Sequence, residues 1–220
     1  MTTTQQLYDL NRTLAGEYLA GFDYPWQALE GIEALILRLG PELGVEYTER
    51  EPGVWVHNTA RVMPSAYLGA PCIIGANTEI RHCAFIRGAA LVGADCVIGN
   101  SVEIKNAIIF DRAEIPHFNY VGDSIIGFHA HMGAGAATSN FRADAGLVII
   151  RDGEDQIATG LQKVGAMLGD YVEVGCNAVL NPGTVVGKNS VVYPTSCVRG
   201  VIPENCIWKQ DGTLIRKEMR

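Results

Sequence analysis

A period of six runs through most of this sequence. From Val56 to Ile104 an aliphatic residue stands at every sixth position, and the position two before it is usually small. The count resumes later in the chain, at Leu168, Val174, Leu180, Val186, Val192 and Val198. Neither an α-helix nor a simple alternating strand produces this period. It predicts a mainly β fold, a parallel β-helix of hexapeptide repeats with three short strands per coil of 18 residues.

The interruptions of this period divide the chain. Residues 1–50 carry apolar positions spaced by three or four, which predicts two short helices packed over one end of the β-helix. The β-helix domain is expected over residues 51–205, with a tail at 206–220. Residues 142–165 are predicted to form an inserted arm, because "LVII" and "QIATGL" flank "RDGED" as in a β-hairpin with Asp-Gly at its turn. Such an arm either lies on the binding face or is a neutral decoration.

Composition limits the classes of partner and the cell compartment. The 220 residues carry a net charge of −7, which argues against a nucleic-acid or anionic-membrane surface. No apolar run is long enough to span a bilayer and the N-terminus lacks the features of a signal peptide, so a cytoplasmic location is expected. The six cysteines are expected to be reduced, with Cys72 and Cys96 filling inward positions of the core.

Two cations are predicted to stack on one face. Arg87 and Lys105 each follow an inward aliphatic residue and lie 18 residues apart, which is one coil. At a strand spacing of about 4.8 Å their charges repel by roughly 3 kcal/mol at an effective dielectric of about 20. A bound anion would reverse this cost; alternatively, both side chains extend into water and only solubilise the face.

The count of six fails beside these cations. Ile104 and Val121 are 17 residues apart, and the next inward residue, Ile126, follows after five. Glu103, Lys105, His117 and Tyr120 lie in or next to this slip, whereas Asp123 and His129 are interpreted as surface positions. A histidine near a carboxylate and two cations is a candidate general base.

These residues also carry a resemblance to a known family. The stretch from "IRGAALVG" at residue 86 through "EIPHFNYVGDS" to "TSNF" resembles the acetyltransferase domain of bacterial bifunctional UDP-N-acetylglucosamine pyrophosphorylase/glucosamine-1-phosphate acetyltransferases. The chain as a whole is similar to short stand-alone proteins labelled UDP-N-acetylglucosamine pyrophosphorylases. The resemblance implies a left-handed coil, acetyl-CoA as co-substrate without a metal, and a homotrimer.

The resemblance also implies roles for individual residues. His117 corresponds to a general base and Glu103 to the carboxylate that orients it. Arg87, Lys105 and Tyr120 correspond to contacts of a sugar phosphate, and the substrate site is expected to include Asn140 as well. Ala134 and Cys176 are expected near the acetyl-CoA groove between adjacent subunits.

The sequence departs from the family pattern at two positions. His131 stands where the family has an amide, and the arm displaces an expected lysine, for which Lys163 is a candidate replacement. Both residues are predicted substrate contacts; alternatively, Lys163 is a solvated lysine that binds no ligand. Zinc is not expected, because the five histidines lack the His-x4-His pair of the zinc-dependent hexapeptide enzymes.

Two functions from different classes follow. The first is an acetyl-CoA-dependent N-acetyltransferase acting on an amino-sugar 1-phosphate or a sugar nucleotide. The second is a non-catalytic sugar-nucleotide-binding or assembly module that works with a separate nucleotidyltransferase. Residues 1–55 contain no glycine-rich basic loop for nucleotide phosphates, so pyrophosphorylase activity is not expected in this chain.

Overall fold

The strands of the protein stack in columns that form the sides of a prism. The structure, a computed structural model, describes residues 2–218. One column, named here the covered face, contains Val54–His57, Cys72–Ile74, Ala90–Val92, Ala166–Leu168, Thr184–Val186 and Val201–Ile202. A second, the groove face, contains Tyr67–Leu68, Phe85–Ile86, Ala137–Thr138, Val179–Leu180 and Cys197–Val198. The third face contains Arg61–Val62, Glu79–Ile80, Val97–Asn100, Glu114–His117, His131–Met132, Glu173–Val174, Val191–Val192 and Cys206–Trp208.

Neighbouring strands of each column pair in parallel, one coil apart. Cys72 pairs with Ala90 on the covered face and Tyr67 with Phe85 on the groove face. The predicted fold class, a mainly β left-handed parallel β-helix of hexapeptide repeats, is confirmed. The aliphatic hexad positions form one continuous buried cluster along the axis of the prism. Burial raises the pKa of Cys72 and of Cys96 to about 12, as expected for thiols that act as core filler.

The slip in the count is a shortened corner between two faces. The strands Glu103–Ile109 and Tyr120–Ile126 run from the groove face onto the covered face without a break. In each of these strands, the inward residue on the covered face lies five positions after the inward residue on the groove face, rather than six. All of these inward residues are fully buried. Asn106 and Asp123 turn this corner with φ of 48° in both cases. Asparagine and aspartate tolerate this left-handed conformation better than most other residues, so they occur where the corner is tightest.

The helical segment is more broken than predicted, and it covers a side of the prism rather than one end. It contains α1 (Thr4–Leu7), α2 (Gly16–Ala20) and α3 (Ile32–Leu39), with 3₁₀ turns at Leu10–Arg12, Pro25–Gly31 and Gly40–Glu42. Its apolar residues pack onto the outward side chains of the covered face, which are Ile73, Leu91, Ile108, Ile125, Met167 and Val185. These side chains are fully buried. The helices cover this face rather than an end of the prism because the face presents a column of apolar side chains that must be removed from water.

The predicted arm is present and its base is packed onto the coil. Ile149–Asp152 and Asp155–Ala158 form the antiparallel hairpin, with Gly153 at the turn in a left-handed conformation. Val148, Ile150 and Val164 are buried in the same cluster as the helices.

An antiparallel strand lies near each end of the coil. Tyr47–Glu51 pairs with the first covered-face strand, and Leu214–Arg216 pairs with Cys206–Trp208. The coil thus continues to Trp208, beyond the boundary predicted at residue 205. All six cysteines are unpaired. Among residues 2–218, no helix has the length and apolar character that crossing a bilayer requires.

Candidate functional site

A groove on the groove face gathers most of the predicted substrate contacts. Its walls contain Arg87, Lys105, Tyr120, Asn140 and Lys163, together with Phe141 and Gln162 from the base of the arm. The groove has a volume of about 440 Å³. The arm contributes its side of the groove through a bridge between Phe141 and Lys163. The structure therefore brings together residues that are up to 76 positions apart in the sequence, 163 minus 87.

Lys105 is held by a buried carboxylate at the shortened corner. Its Nζ lies 3.2 Å from Oδ2 of Asp123, a residue that is only 4% exposed. Asn106 and Asn140 also donate side-chain hydrogen bonds to Asp123. The interpretation of Asp123 as a surface position is wrong, because its carboxylate is buried among three side-chain donors, from Lys105, Asn106 and Asn140. Asp123 thus holds two side chains of the groove, those of Lys105 and Asn140, in place. The sequence pattern did not reveal this role.

Arg87 is paired with the other carboxylate of the predicted site. Its Nη1 donates to Oε1 of Glu103 across 2.7 Å. This hydrogen bond raises the pKa of Arg87, and the charge of Glu103 adds to the effect. Glu103 was predicted to orient His117, but within residues 2–218 its carboxylate contacts Arg87 instead. The repulsion expected between Arg87 and Lys105 is thus relieved by Glu103 and Asp123, so it does not by itself require a bound anion.

Tyr120 forms the floor of the groove. Its hydroxyl accepts a hydrogen bond from Nδ2 of Asn140 at 3.1 Å. Burial raises the pKa of Tyr120, and the negative charges of Asp123 and Glu103 raise it further. The phenol therefore stays protonated at neutral pH and keeps its proton available for donation to a ligand.

His117 lies at the corner between the third face and the groove face, three residues before Tyr120. The backbone N–H of Gly135 donates to the carbonyl of His117, and that of Asn177 donates to the carbonyl of Ala134. His117, Ala134 and Cys176 therefore occupy equivalent positions in three successive coils. The predicted general base and the two predicted acetyl-CoA contacts form one column, named here the corner column.

A buried asparagine fixes the turn after His117. The side chain of Asn119 accepts from the backbone N–H of His117 at 3.1 Å, and it donates to the carbonyls of Gly133 and Ala136 in the next coil. Asn119 is 3% exposed, and sequence reasoning missed it. The imidazole of His117 is exposed and has no hydrogen-bond partner within residues 2–218.

His131 is the predicted site residue that the structure places elsewhere. It lies on the third face, where its Nδ1 is 2.9 Å from Oε2 of Glu173. It does not line the groove. No group of three potential metal ligands is present in the described part of the chain.

Comparisons with known proteins identify relatives of most of the coil. The family described as "GMPPB C-terminal domain" matches residues 82–202, and "Bacterial transferase hexapeptide (six repeats)" matches residues 53–88. The chain is 30% identical over 156 residues to the "Bifunctional protein GlmU" of Methanococcus maripaludis strain C5, which covers 70% of the chain and 33% of that relative. It is 34% identical over 149 residues to "Putative uncharacterized acetyltransferase YaiX" of Escherichia coli K12, covering 60% and 65%.

Among solved structures, the UDP-N-acetylglucosamine acyltransferase of Francisella novicida is 16% identical, with a TM-score of 0.42 over 70% of the chain and 66% of its own. The chain spans about a third or less of the length of the bifunctional relatives, with 27% for the GlmU protein of M. maripaludis strain S2. The matched family covers more than half of the chain and includes the groove and the corner column. This protein therefore belongs to the GMPPB C-terminal domain family of hexapeptide-repeat proteins.

Proposed function

We propose that the protein is an acetyl-CoA-dependent N-acetyltransferase whose acceptor is an amino-sugar 1-phosphate or a sugar nucleotide. The observation that carries this proposal is that His117, in the corner column, lies three residues before Tyr120, which lines the groove. A relative from Sulfurisphaera tokodaii, 35% identical over 92 residues, is named a bifunctional sugar-1-phosphate nucleotidylyltransferase/acetyltransferase, and the match covers 42% of the chain and 23% of that relative. The name supports an acetyl transfer to a sugar substrate.

The chemistry requires one proton acceptor at the corner. The sugar amine attacks the thioester carbonyl, a C–N bond forms, the C–S bond breaks, and the coenzyme leaves as its thiolate. The proton lost by the amine passes to neutral His117, which acts as general base. Backbone N–H groups of the coil stabilise the oxyanion that forms during the attack.

The groove supplies the acceptor site. Arg87 presents a planar fork of donors for a phosphate, and Lys105 and Lys163 add positive charge. Tyr120 and Asn140 offer hydrogen bonds to sugar hydroxyls. His131, which is paired with Glu173 on another face, is a weaker candidate for direct contact with this acceptor.

The acetyl-CoA site is proposed to be completed by a second subunit. Ala134 and Cys176 lie on a convex corner, which cannot enclose a ligand alone. Phe118, next to His117, is 65% exposed, as expected for an apolar side chain that another subunit covers. A homotrimer of prisms supplies this second subunit. We propose that the trimer is located in the cytoplasm. Sedimentation that shows a monomer at micromolar concentration would contradict the trimer.

The decisive experiment replaces the proposed base. We expect His117→Ala to lower turnover by about 10² to 10⁴, with folding and ligand affinities largely unchanged. His129→Ala is the matched control, because His129 is also exposed but stacks on Tyr171 away from the groove. A His117→Ala protein that acetylates glucosamine 1-phosphate or UDP-glucosamine at the parent rate would end the catalytic proposal.

One observation favours the second function, a non-catalytic sugar-nucleotide-binding module that assembles with a separate nucleotidyltransferase. Glu103, the expected orienting carboxylate, is bound to Arg87, so the imidazole of His117 has no acidic partner among the residues that the structure describes. Thermal shift distinguishes the two functions. Stabilisation by acetyl-CoA supports the transferase, whereas stabilisation by sugar nucleotides alone supports the binding module.

A further inference from the structure

A second cavity lies next to the groove, between the arm and the coil. It has a volume of about 460 Å³, and its walls include Arg142, Arg151, Asn181 and Arg199. Phe141 lines both this arm cavity and the groove, so the two spaces meet at that side chain. Among residues 2–218, Phe141 is the one residue that lines both spaces; the other residues of the arm cavity do not line the groove.

The arm cavity holds more unneutralised positive charge than the groove. Arg142 is paired with Asp144, but Arg151 and Arg199 have no acidic partner within residues 2–218. In the groove, by comparison, the positive charges of Arg87 and Lys105 are compensated and Lys163 alone is not. Two uncompensated arginines in one concave site are conspicuous in a chain whose net charge is −7. Such a site attracts an anion carrying two charges or more.

The arm cavity continues the groove along the axis of the prism. Arg199 follows Val198, and Asn181 follows Leu180, as Arg87 follows Ile86 on the same face. The N–H of Asn181 donates to the carbonyl of Val198, just as that of Arg87 donates to Ile104. Arg199 therefore lies in the same column as Arg87 and Lys105, several coils further on. An elongated ligand lying along this column would reach both sites.

The cavity wall is fixed by close packing of the arm. A Cβ at Gly200 would lie 2.7 Å from the carbonyl oxygen of Arg151, and one at Gly183 would lie 2.8 Å from a methyl group of Val148. Both glycines have positive φ, 87° and 80°. The coil thus has glycine where the arm approaches most closely. This contact holds the backbone of Arg151 against the coil from which Arg199 extends.

From these observations we propose that the arm cavity binds the diphosphate of a nucleoside-diphosphate sugar whose sugar lies in the groove. Guanidinium groups match phosphate oxygens with paired hydrogen bonds, and two of them suit a diphosphate. A sugar 1-phosphate would fill the groove alone and leave both arginines unused. The placement of the sugar rests on the function proposed above, whereas the binding of the diphosphate does not.

The test measures binding without any transfer reaction. Titration calorimetry with uridine diphosphate, guanosine diphosphate and inorganic pyrophosphate is compared for the parent, Arg151→Gln, Arg199→Gln and the double variant. Each single substitution should weaken diphosphate binding by about tenfold or more, because it removes charged hydrogen bonds. Arg61→Gln is the matched control, since Arg61 is exposed on the third face and outside both spaces.

Each outcome decides between the parts of the proposal. Equal diphosphate affinity in the parent and the double variant, or no binding to the parent at millimolar concentration, overturns the site. A loss of affinity for acetyl-CoA instead of the diphosphates assigns the cavity to the coenzyme and overturns the proposed ligand. Loss of diphosphate binding in the double variant supports the site even if the parent transfers no acetyl group. If the double variant transfers acetyl groups to both sugar 1-phosphate and sugar nucleotide at the parent rate and with unchanged affinities, the transferase function is supported. The same result overturns the diphosphate site in the arm cavity.

Discussion

The covered face and the groove face share a backbone and differ in the side chains that point outward. On the covered face the outward residues are apolar, as at Leu91 and Ile108, which are completely buried in the cluster that the helical segment forms with this face. On the groove face the outward residues include Glu103 and Tyr120, which remain partly exposed. The inward hexad positions thus specify the coil, whereas the outward positions specify what each face contacts. One face is used for stability and the other is left open for a ligand.

The largest effect is expected on the free energy of unfolding, from a substitution that removes a buried side chain of the covered face. Ile108→Ala should lower the free energy of unfolding by about 2 to 5 kcal/mol, because it leaves a cavity under the helices. Glu103→Ala, at the matching outward position of the same strand on the groove face, should cost less than about 1 kcal/mol, since it removes a partly exposed ion pair. Urea denaturation with a constant m-value measures both. Equal losses would show that the two faces are not divided in this way.

A smaller effect concerns binding to the groove face. Arg87→Ala should weaken the sugar-phosphate ligand by roughly 1.5 to 3 kcal/mol, the range of charged hydrogen bonds, and leave acetyl-CoA affinity nearly unchanged. Lys105→Ala should do the same and also lower stability, because it leaves the buried carboxylate of Asp123 without its cation.

Arg81→Ala provides the control for these two variants, because Arg81 forms a similar pair with Glu79 on the third face. Titration calorimetry with glucosamine 1-phosphate and acetyl-CoA measures the affinities. Weakening of both ligands by the same factor, or of neither, would contradict the assignment of Arg87.

The smallest effect compares one tyrosine from each face at alkaline pH. Tyr8 lies between the helical segment and the covered face, where it donates to the carbonyl of Ile125, and burial raises its pKa. Burial also raises the pKa of Tyr120 in the groove. A raised folded-state pKa stabilises the fold fully below the ordinary value of 10.0, and this contribution is lost as the pH rises through the folded pKa.

We expect Tyr120 to ionise within the folded protein and Tyr8 to ionise only together with unfolding. Tyrosinate absorbance and circular dichroism, recorded over the same alkaline titration, measure the two events. Tyr120→Phe should remove an absorbance change that precedes unfolding, and Tyr8→Phe one that coincides with it. Absorbance from Tyr8 in the still folded protein would show that the helical cover opens easily.

The inward half of the fold could be predicted from the sequence and the outward half only in part. Hexads fix the core because each inward position must be filled in every coil. The covered face also left a signal, an apolar residue between two inward ones in "CII", "ALV" and "AII", which the interpretation of the helices as an end cap overlooked. The burial of Asp123 could not be read in the same way, because it depends on a corner whose geometry involves two coils.

The predicted site divides along the same line. Arg87 and Lys105 could be placed in one column by counting residues, and the structure confirms that column. The carboxylate that each cation selects could not be predicted, since Glu103 can in principle turn toward His117 or Arg87 and side-chain geometry decides between them. Lys163 reaches the groove through the arm, whose path no repeat describes.

The antiparallel strands near the two ends limit how far such a prism can grow. A stack of parallel coils has at each end a row of unpaired backbone donors and acceptors that a further coil could join. Here Tyr47–Glu51 and Leu214–Arg216 run against the direction of the strands they pair with. An incoming coil of a second molecule would meet a backbone in the wrong orientation on one side while its other two sides were aligned. Fibres built by end-to-end stacking are therefore disfavoured, and the molecule can hold a long regular array of strands without acting as a seed for amyloid-like assembly.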